Sequence, residues 1–280
     1  MTRQFDLIAF DWDGTLFDST ALIVRCIQSA CVDLGVTVPT VTQAAYVIGL
    51  GLRDALEHAV PDLPQGRYGE LAQRYRHHYV NSQHELSLFA GTLEMLRELK
   101  ARHHWLAVAT GKGRQGLNDA LAHADLVGMF DGTRTADETA SKPNPRMLME
   151  LIDQFGVRAD RTLMIGDTTH DLQLAQNAGT ASLGVSFGAH DHAAFASRCA
   201  HDLSHARAPK CWHRCTSTTA DAVGRANGLP CNAAPSGCGD ARRWRARHRA
   251  SSKRCAQCRH RVARPSPHRL TRRKTRNANT

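Results

Sequence analysis

The chain opens on an apolar run, Phe5 to Phe10, that stops at Asp11-Trp12-Asp13-Gly14-Thr15-Leu16. A run this short, cut off by a glycine, reads as one buried strand rather than a helix. Three more such runs follow, at Trp105–Ala109, Leu163–Ile165 and Ala181–Val185. Stretches of helical periodicity separate them. Strands alternating with helices cannot be joined by hairpins, so the pattern demands parallel pairing with helices on both faces. The expected fold class is α/β, Rossmann-like and doubly wound, with a mainly parallel sheet.

The first two strands lie too far apart for a plain crossover. Between them Thr20–Leu34, Val41–Ile48, Leu52–Ala59 and Tyr68–Val80 all read as helices, broken by Gly49-Leu50-Gly51 and Pro61–Gly66. That spacing predicts an inserted α-helical cap over residues 18–85, with the α/β core formed by 1–17 and 86–196. Thr92–Ala101, Gly116–Ala124, Pro145–Phe155 and Asp171–Ala178 are the expected helices of the core.

Composition divides the chain again, near residue 196. Residues 197–280 hold 20 of the 36 Lys and Arg but only 3 of the 26 Asp and Glu, so an acidic body of net −7 carries a tail of net +17. The tail has five large aliphatics, Leu203, Val223, Leu229, Val262 and Leu270, and no Ile, Met, Phe or Tyr. It cannot bury enough apolar area to offset its ordering entropy, and the expectation is disorder. Its mix of Arg, Ala, Cys, His, Ser and Pro also matches GC-rich DNA translated out of frame, with the break near Arg198. Cysteines follow the same divide: Cys26 and Cys31 lie in the body and the other seven in the tail. An odd total without a signal-peptide pattern argues against a secreted disulfide framework. No apolar stretch approaches the ~18 residues of a membrane span, so the expected location is the cytoplasm.

Four polar clusters stand at or just beyond strand ends: Asp11 and Asp13; Thr110-Gly111-Lys112; Ser141-Lys142-Pro143; and Gly166-Asp167-Thr168-Thr169-His170-Asp171. In parallel sheets, ligands bind at the carboxyl ends of the strands. Alternate residues of a strand share a face, which places Asp11 and Asp13 side by side. Four carboxylates gathered with one or two lysines ask for a divalent cation, and an all-oxygen set suits Mg²⁺.

These clusters, in this order, resemble the four motifs of the haloacid dehalogenase superfamily over roughly residues 5–190. Asp11 through Ser19 resembles the first motif, Thr110 the second, Lys142-Pro143 the third, and Gly166-Asp167 through Asp171 the fourth. The resemblance implies that Asp11 is a nucleophile forming an aspartyl-phosphate and Asp13 the acid/base at the leaving oxygen. It implies that Thr110 and Lys142 stabilise the phosphoryl group, with Gly14, Thr15 and Gly111 among the substrate contacts. It further implies Mg²⁺ held by Asp11, the Asp13 carbonyl and Asp167, with Asp171 supporting its water shell. A second Asp in the first motif favours phosphoryl transfer over C–halogen chemistry. Asp18 is expected to cap the following helix and His170 to face solvent.

Cap placement between the first and second motifs resembles the subclass acting on small phosphorylated metabolites. Ile48 through Arg53 is similar to the specificity loop of phosphoglycolate phosphatases, with Arg53 pairing a substrate carboxylate, and Lys112 fits the same group. Gly111 departs from the usual Thr-Asn-Lys. The expectation is a Mg²⁺-dependent phosphomonoesterase most like phosphoglycolate phosphatase; a pyrophosphatase or a β-phosphoglucomutase-like enzyme are alternatives on the same scaffold. From another class, Arg242 to Arg249 and the Arg-rich stretch to Arg276 offer nucleic-acid binding through the tail. One Cys-x₂-Cys pair, Cys255 and Cys258, is too little for a zinc module. Oligomeric state is left open.

Overall fold

The computed structural model describes residues 4–124, 126–191 and 195. The expectations for residues 197–280 lie outside them.

Five strands form one wholly parallel sheet: β1 (Leu7–Phe10), β2 (Trp105–Thr110), β3 (Gly132–Thr135), β4 (Thr162–Gly166) and β5 (Ala181–Gly184), in the order β3-β2-β1-β4-β5. Strand β1 pairs with β2 from Leu7↔Trp105 to Phe10↔Val108 and with β4 from Leu7↔Thr162 to Phe10↔Ile165. It is buried on both faces, and its period of two sorts its side chains. Ile8 and Phe10 enter one core with Met95, Leu96 and Leu99 of α5 (Thr92–Ala101) and Leu117 of α6 (Arg114–His123). Leu7 and Ala9 enter the other, with Met147, Leu148 and Leu151 of α7 (Arg146–Phe155) and Leu174 and Ala175 of α8 (Thr169–Ala178). The result is a three-layer αβα sandwich.

The chain winds outward from β1 to β3 and then returns to start β4 on the other side of β1. The topological switch therefore lies between β1 and β4, and its crevice opens at their carboxyl ends. Asp11 N donates to Ile165 O at 2.8 Å, carrying the ladder one residue past β1. Asp11 thus stands at the lip of that crevice. Trp12 turns the other way, into the core beside Phe10, and stacks on Phe17 at 5.1 Å.

Between β1 and β2 the chain forms α1 (Thr20–Asp33), α2 (Val41–Tyr46), α3 (Leu52–Ala59) and α4 (Tyr68–Ser82). They enclose an apolar cluster of their own, with Ile23, Ile27, Ala44, Leu56 and Leu71 at its centre. Thr40 and Gln43 close a capping box on α2. That helix ends at Tyr46 rather than Ile48, because Gly49 turns the chain with φ +92°.

The strand β3 was not anticipated. Gly132-Thr133-Arg134-Thr135 carries no aliphatic residue, and it pairs on one side only, as the sheet edge. Edge strands need fewer apolar side chains, and here Arg134 reaches Glu150 at 2.8 Å. Ser19, not Asp18, stands at the N-cap of α1; Asp18 is exposed.

Candidate active site

Asp11 is fully buried, and Lys142 Nζ lies 2.6 Å from its Oδ1 and 2.7 Å from Asp171 Oδ1. Beyond that ion pair, neither Asp11 oxygen receives a hydrogen bond from the described residues. Asp171 is engaged on its far side: Oδ2 accepts from Thr168 N at 3.0 Å and Thr168 Oγ1 at 2.6 Å, in the capping box that starts α8. Asp167 Oδ1 accepts from Thr15 Oγ1 at 2.8 Å and Oδ2 from Ala189 N at 2.7 Å. Asp11, Asp167 and Asp171 bring carboxylate oxygens within 4.8 Å of one another.

Three carboxylates thus crowd together, and the one ammonium among them, Lys142, contacts only Asp11 and Asp171. Burial pushes Asp11 well above its ordinary range; Lys142 opposes this, while Asp171 and Asp167 add to it. Burial likewise lifts Asp167 to about 7, helped by the charge of Asp171. For Lys142, burial would lower the pKa, but Asp11 and Asp171 outweigh it and keep the ammonium charged. Surplus negative charge, hard oxygen donors and two unsatisfied Asp11 oxygens together fit a divalent cation.

Asp13 has different partners from Asp11. Ser19 Oγ donates to its Oδ1 at 2.7 Å, and Lys112 Nζ stands 3.1 Å from Oδ2. Lys112 also donates to Tyr79 OH at 2.8 Å and lies over the Tyr79 ring. The two first-motif carboxylates are therefore not a like-charged pair awaiting one cation, as the sequence suggested. Each has its own lysine, and the Asp13 side chain stands outside the acidic triad.

Gly14 and Thr15 are engaged within the protein. Gly14 N donates to Phe17 O at 2.8 Å, and the Thr15 hydroxyl orients Asp167. A Cβ on Gly14, at φ +80°, would overlap the Asp167 carboxylate, as would one on Gly188. Thr110 is buried at the end of β2, where its Oγ1 accepts from Lys112 N at 3.2 Å and its own proton is left to donate.

The loop joining α2 and α3 covers this cluster. Gly49 packs so closely that a Cβ there would stand 3.9 Å from Asp11 Oδ2 and 3.3 Å from Thr168 Oγ1. Gly51 N donates to Ser141 Oγ at 2.8 Å. A Cβ on Gly111 would overlap the carbonyls of Gly49 and Leu50. Glycine thus stands at 111 because a backbone rests on it. At the end of α2, the Tyr46 carbonyl accepts from His170 Nε2 at 2.8 Å and His190 Nε2 at 2.9 Å. His170, expected to face solvent, packs edge-on against Tyr46 and His190, whose ring stacks on Tyr46. Arg53 is 67% exposed and turned toward Glu57 (2.8 Å) and Gln65 (3.2 Å).

Tyr79, Ala189 and His190 carry no sequence signal, whereas Ser19 and Ser141 stand within the first and third polar clusters, with no chemical role read for either.

Residues 8–185 match the haloacid dehalogenase-like hydrolase family. The chain belongs to that family. Over 197 residues it is 33% identical to a phosphoglycolate phosphatase of Aliivibrio fischeri, covering 67% of this chain and 87% of that protein. It is also 33% identical to a 5'-nucleotidase of Pseudomonas aeruginosa, covering 66% and 84% of the two chains. The solved structure of a "predicted phosphoglycolate phosphatase" from Haemophilus somnus superposes with a TM-score of 0.61 at 28% identity, covering 68% of this chain and 88% of that one. By its family and its relatives the chain is a phosphatase, on an αβα scaffold.

Proposed function

We propose that this chain is a Mg²⁺-dependent phosphomonoester hydrolase that acts through an aspartyl-phosphate on Asp11. The observation carrying this reading is the pair of Asp11 oxygens, buried, short of hydrogen bonds and 2.6 Å from a charged lysine. A carboxylate so placed is poised to bond to an electron-poor centre, and Lys142 offsets the charge of an incoming phosphoryl group.

An Asp11 oxygen attacks phosphorus as the bond to the leaving alcohol breaks, and Asp13 delivers a proton to the departing oxygen. Asp13, now a carboxylate held by Ser19 and Lys112, takes a proton from a water. That water's oxygen attacks phosphorus, releasing inorganic phosphate and restoring Asp11. Thr110 Oγ1 donates to a non-bridging phosphoryl oxygen. Asp171 acts through Lys142, fixing its ammonium between two carboxylates. Asp11 and Asp167 would hold Mg²⁺ with the Asp13 carbonyl, and Asp171, the third member of the acidic cluster, would support it. When bound, the cation would neutralise charge on the phosphoryl group.

Residues 18–85 act as a cap, excluding bulk water while Asp11 is loaded. Phosphoglycolate is the first ester to assay, since relatives carry that name, although Arg53 is turned to Glu57 and Gln65. Asp11→Asn, isosteric with the native side chain, is expected to abolish Mg²⁺-dependent release of phosphate from any monoester while keeping the native circular dichroism spectrum. Undiminished turnover in that variant refutes the assignment.

A further inference from the structure

Beside Asp13 lies a cavity of about 650 Å³, reaching from Lys112 along α1, α4 and the loop before α3, with α6 across from them. Asp13 is the residue assigned to protonate the departing oxygen. The cavity therefore lies on the leaving-group side and receives the alcohol, not the phosphoryl group. The stretch of wall formed by Ile23, Ile27, Val47, Ile48, Tyr75 and Tyr79 is apolar or aromatic, while charged residues such as Asp54, Asp119 and Asp137 also line the cavity. Tyr75 and Tyr79 stack on each other at 5.9 Å and present aromatic surface to it.

Pockets of roughly 300–1,000 Å³ suit drug-sized ligands rather than short acids. Charge points the same way. Lys112, the cation beside Asp13, is already bound by Asp13 and Tyr79 OH. Arg53 and Arg76 also line the cavity, but both are exposed to solvent, where their charge is screened, and Arg53 is turned to Glu57 and Gln65. A carboxylate entering between the isoleucines and tyrosines would lose its hydration and gain no unengaged ammonium near Asp13. A ring displaces water from apolar wall instead, which favours binding.

We infer that the substrate is the phosphomonoester of a bulky, uncharged, ring-bearing alcohol, and that a short phosphorylated carboxylic acid is a poor one. The inference rests on the phosphomonoesterase reading and specifies its leaving group. Hydrolysis conserves atoms as above: the P–O bond to the alcohol breaks, and the alcohol leaves with the proton from Asp13.

The test compares 2-phenylethyl phosphate and a nucleoside 5'-monophosphate with 2-phosphoglycolate, all esters of primary alcohols, so that leaving-group chemistry is matched. With Mg²⁺, the better ring-bearing ester is expected to exceed phosphoglycolate in kcat/KM by about tenfold or more. Gly116 borders the cavity on α6, and a Cβ there meets nothing within 4 Å, so Gly116→Trp can start a bulky side chain at the cavity's edge without a clash at its first atom. It should lower kcat/KM for ring-bearing esters by about tenfold and for phosphoglycolate by less than about twofold. Preference for phosphoglycolate by the wild type, or equal losses in the variant, overturns the inference and leaves the phosphomonoesterase reading standing. Hydrolysis of none of the esters, with Asp11→Asn indistinguishable from wild type, overturns both.

Discussion

Asp167→Asn is expected to stabilise the metal-free protein, and to do so only above about pH 4. Asp167 is fully buried, and burial with the nearby Asp171 charge lifts it from the ordinary 3.8 to about 7. Between those values the native state holds a proton that the unfolded chain has released. Stability is therefore lost as pH rises, by up to about 1.4 kcal/mol per pH unit from this one group. Carried across the window, the penalty at pH 8 is on the order of 4 kcal/mol. Asparagine keeps the local bonding: its oxygen accepts from Ala189 N, and its amide donates to the Thr15 hydroxyl, which now accepts. Urea unfolding of both proteins in chelator, from pH 4 to pH 8, reads the difference directly. Glu138, held down to about 2 by hydrogen bonds from Arg114, contributes equally to both and cancels. Mg²⁺ at about a hundred times its Kd should return about 2.7 kcal/mol to the wild type and much less to the variant. A difference in stability that does not change with pH refutes the argument.

Lys142→Met removes the single ammonium between Asp11 and Asp171; a loss of about 3–5 kcal/mol is expected in urea unfolding, with no measurable turnover. Gly111→Asn restores the side chain common in resembling proteins but drives its Cβ into the Gly49 and Leu50 carbonyls. The loop must lift, and amide hydrogen exchange at residues 47–51 should quicken by about tenfold or more while β1 and β4 are unchanged.

Local pattern carried the fold where burial was two-sided. Leu7–Phe10 reads as a strand because every residue in it is apolar, and it is a strand because both faces are covered. The period of two places Asp11 at the crevice lip and Trp12 in the core. Edge strand β3 was illegible, since half-exposed Gly132–Thr133–Arg134 needs no apolar signature. The site residues likewise divide by the range of their interactions. Asp11, Thr110, Lys142 and Asp167 are recognisable at strand ends and in loops beyond them. Separate lysines for Asp11 and Asp13 are not, because Lys112 and Lys142 reach them only through the finished sheet order. Ala189 N on Asp167 and the Tyr46 carbonyl between two histidines have no local pattern at all. Glycine at 111 looked like a lost side-chain donor, yet in the fold it is room for a neighbouring backbone.

That room bears on how a substrate would reach Asp11, the proposed nucleophile, which has no exposed surface. Among the described residues, hydrogen bonds from His170 and His190 to Tyr46 O and from Gly51 N to Ser141 Oγ tie down the covering loop. At about 1 kcal/mol each, they favour the closed loop by about 3 kcal/mol before the burial of Val47, Ile48 and Leu50 is counted. The closed form also supplies what the chemistry requires. With the loop down, Gly49 lies against Asp11 and bulk water is kept from the carboxylate until the ester replaces it. Closure depends on short contacts made by glycines and on two histidine donors to one carbonyl. A bulkier residue at 49 or 111, or loss of either ring, therefore shifts the same equilibrium toward the open form.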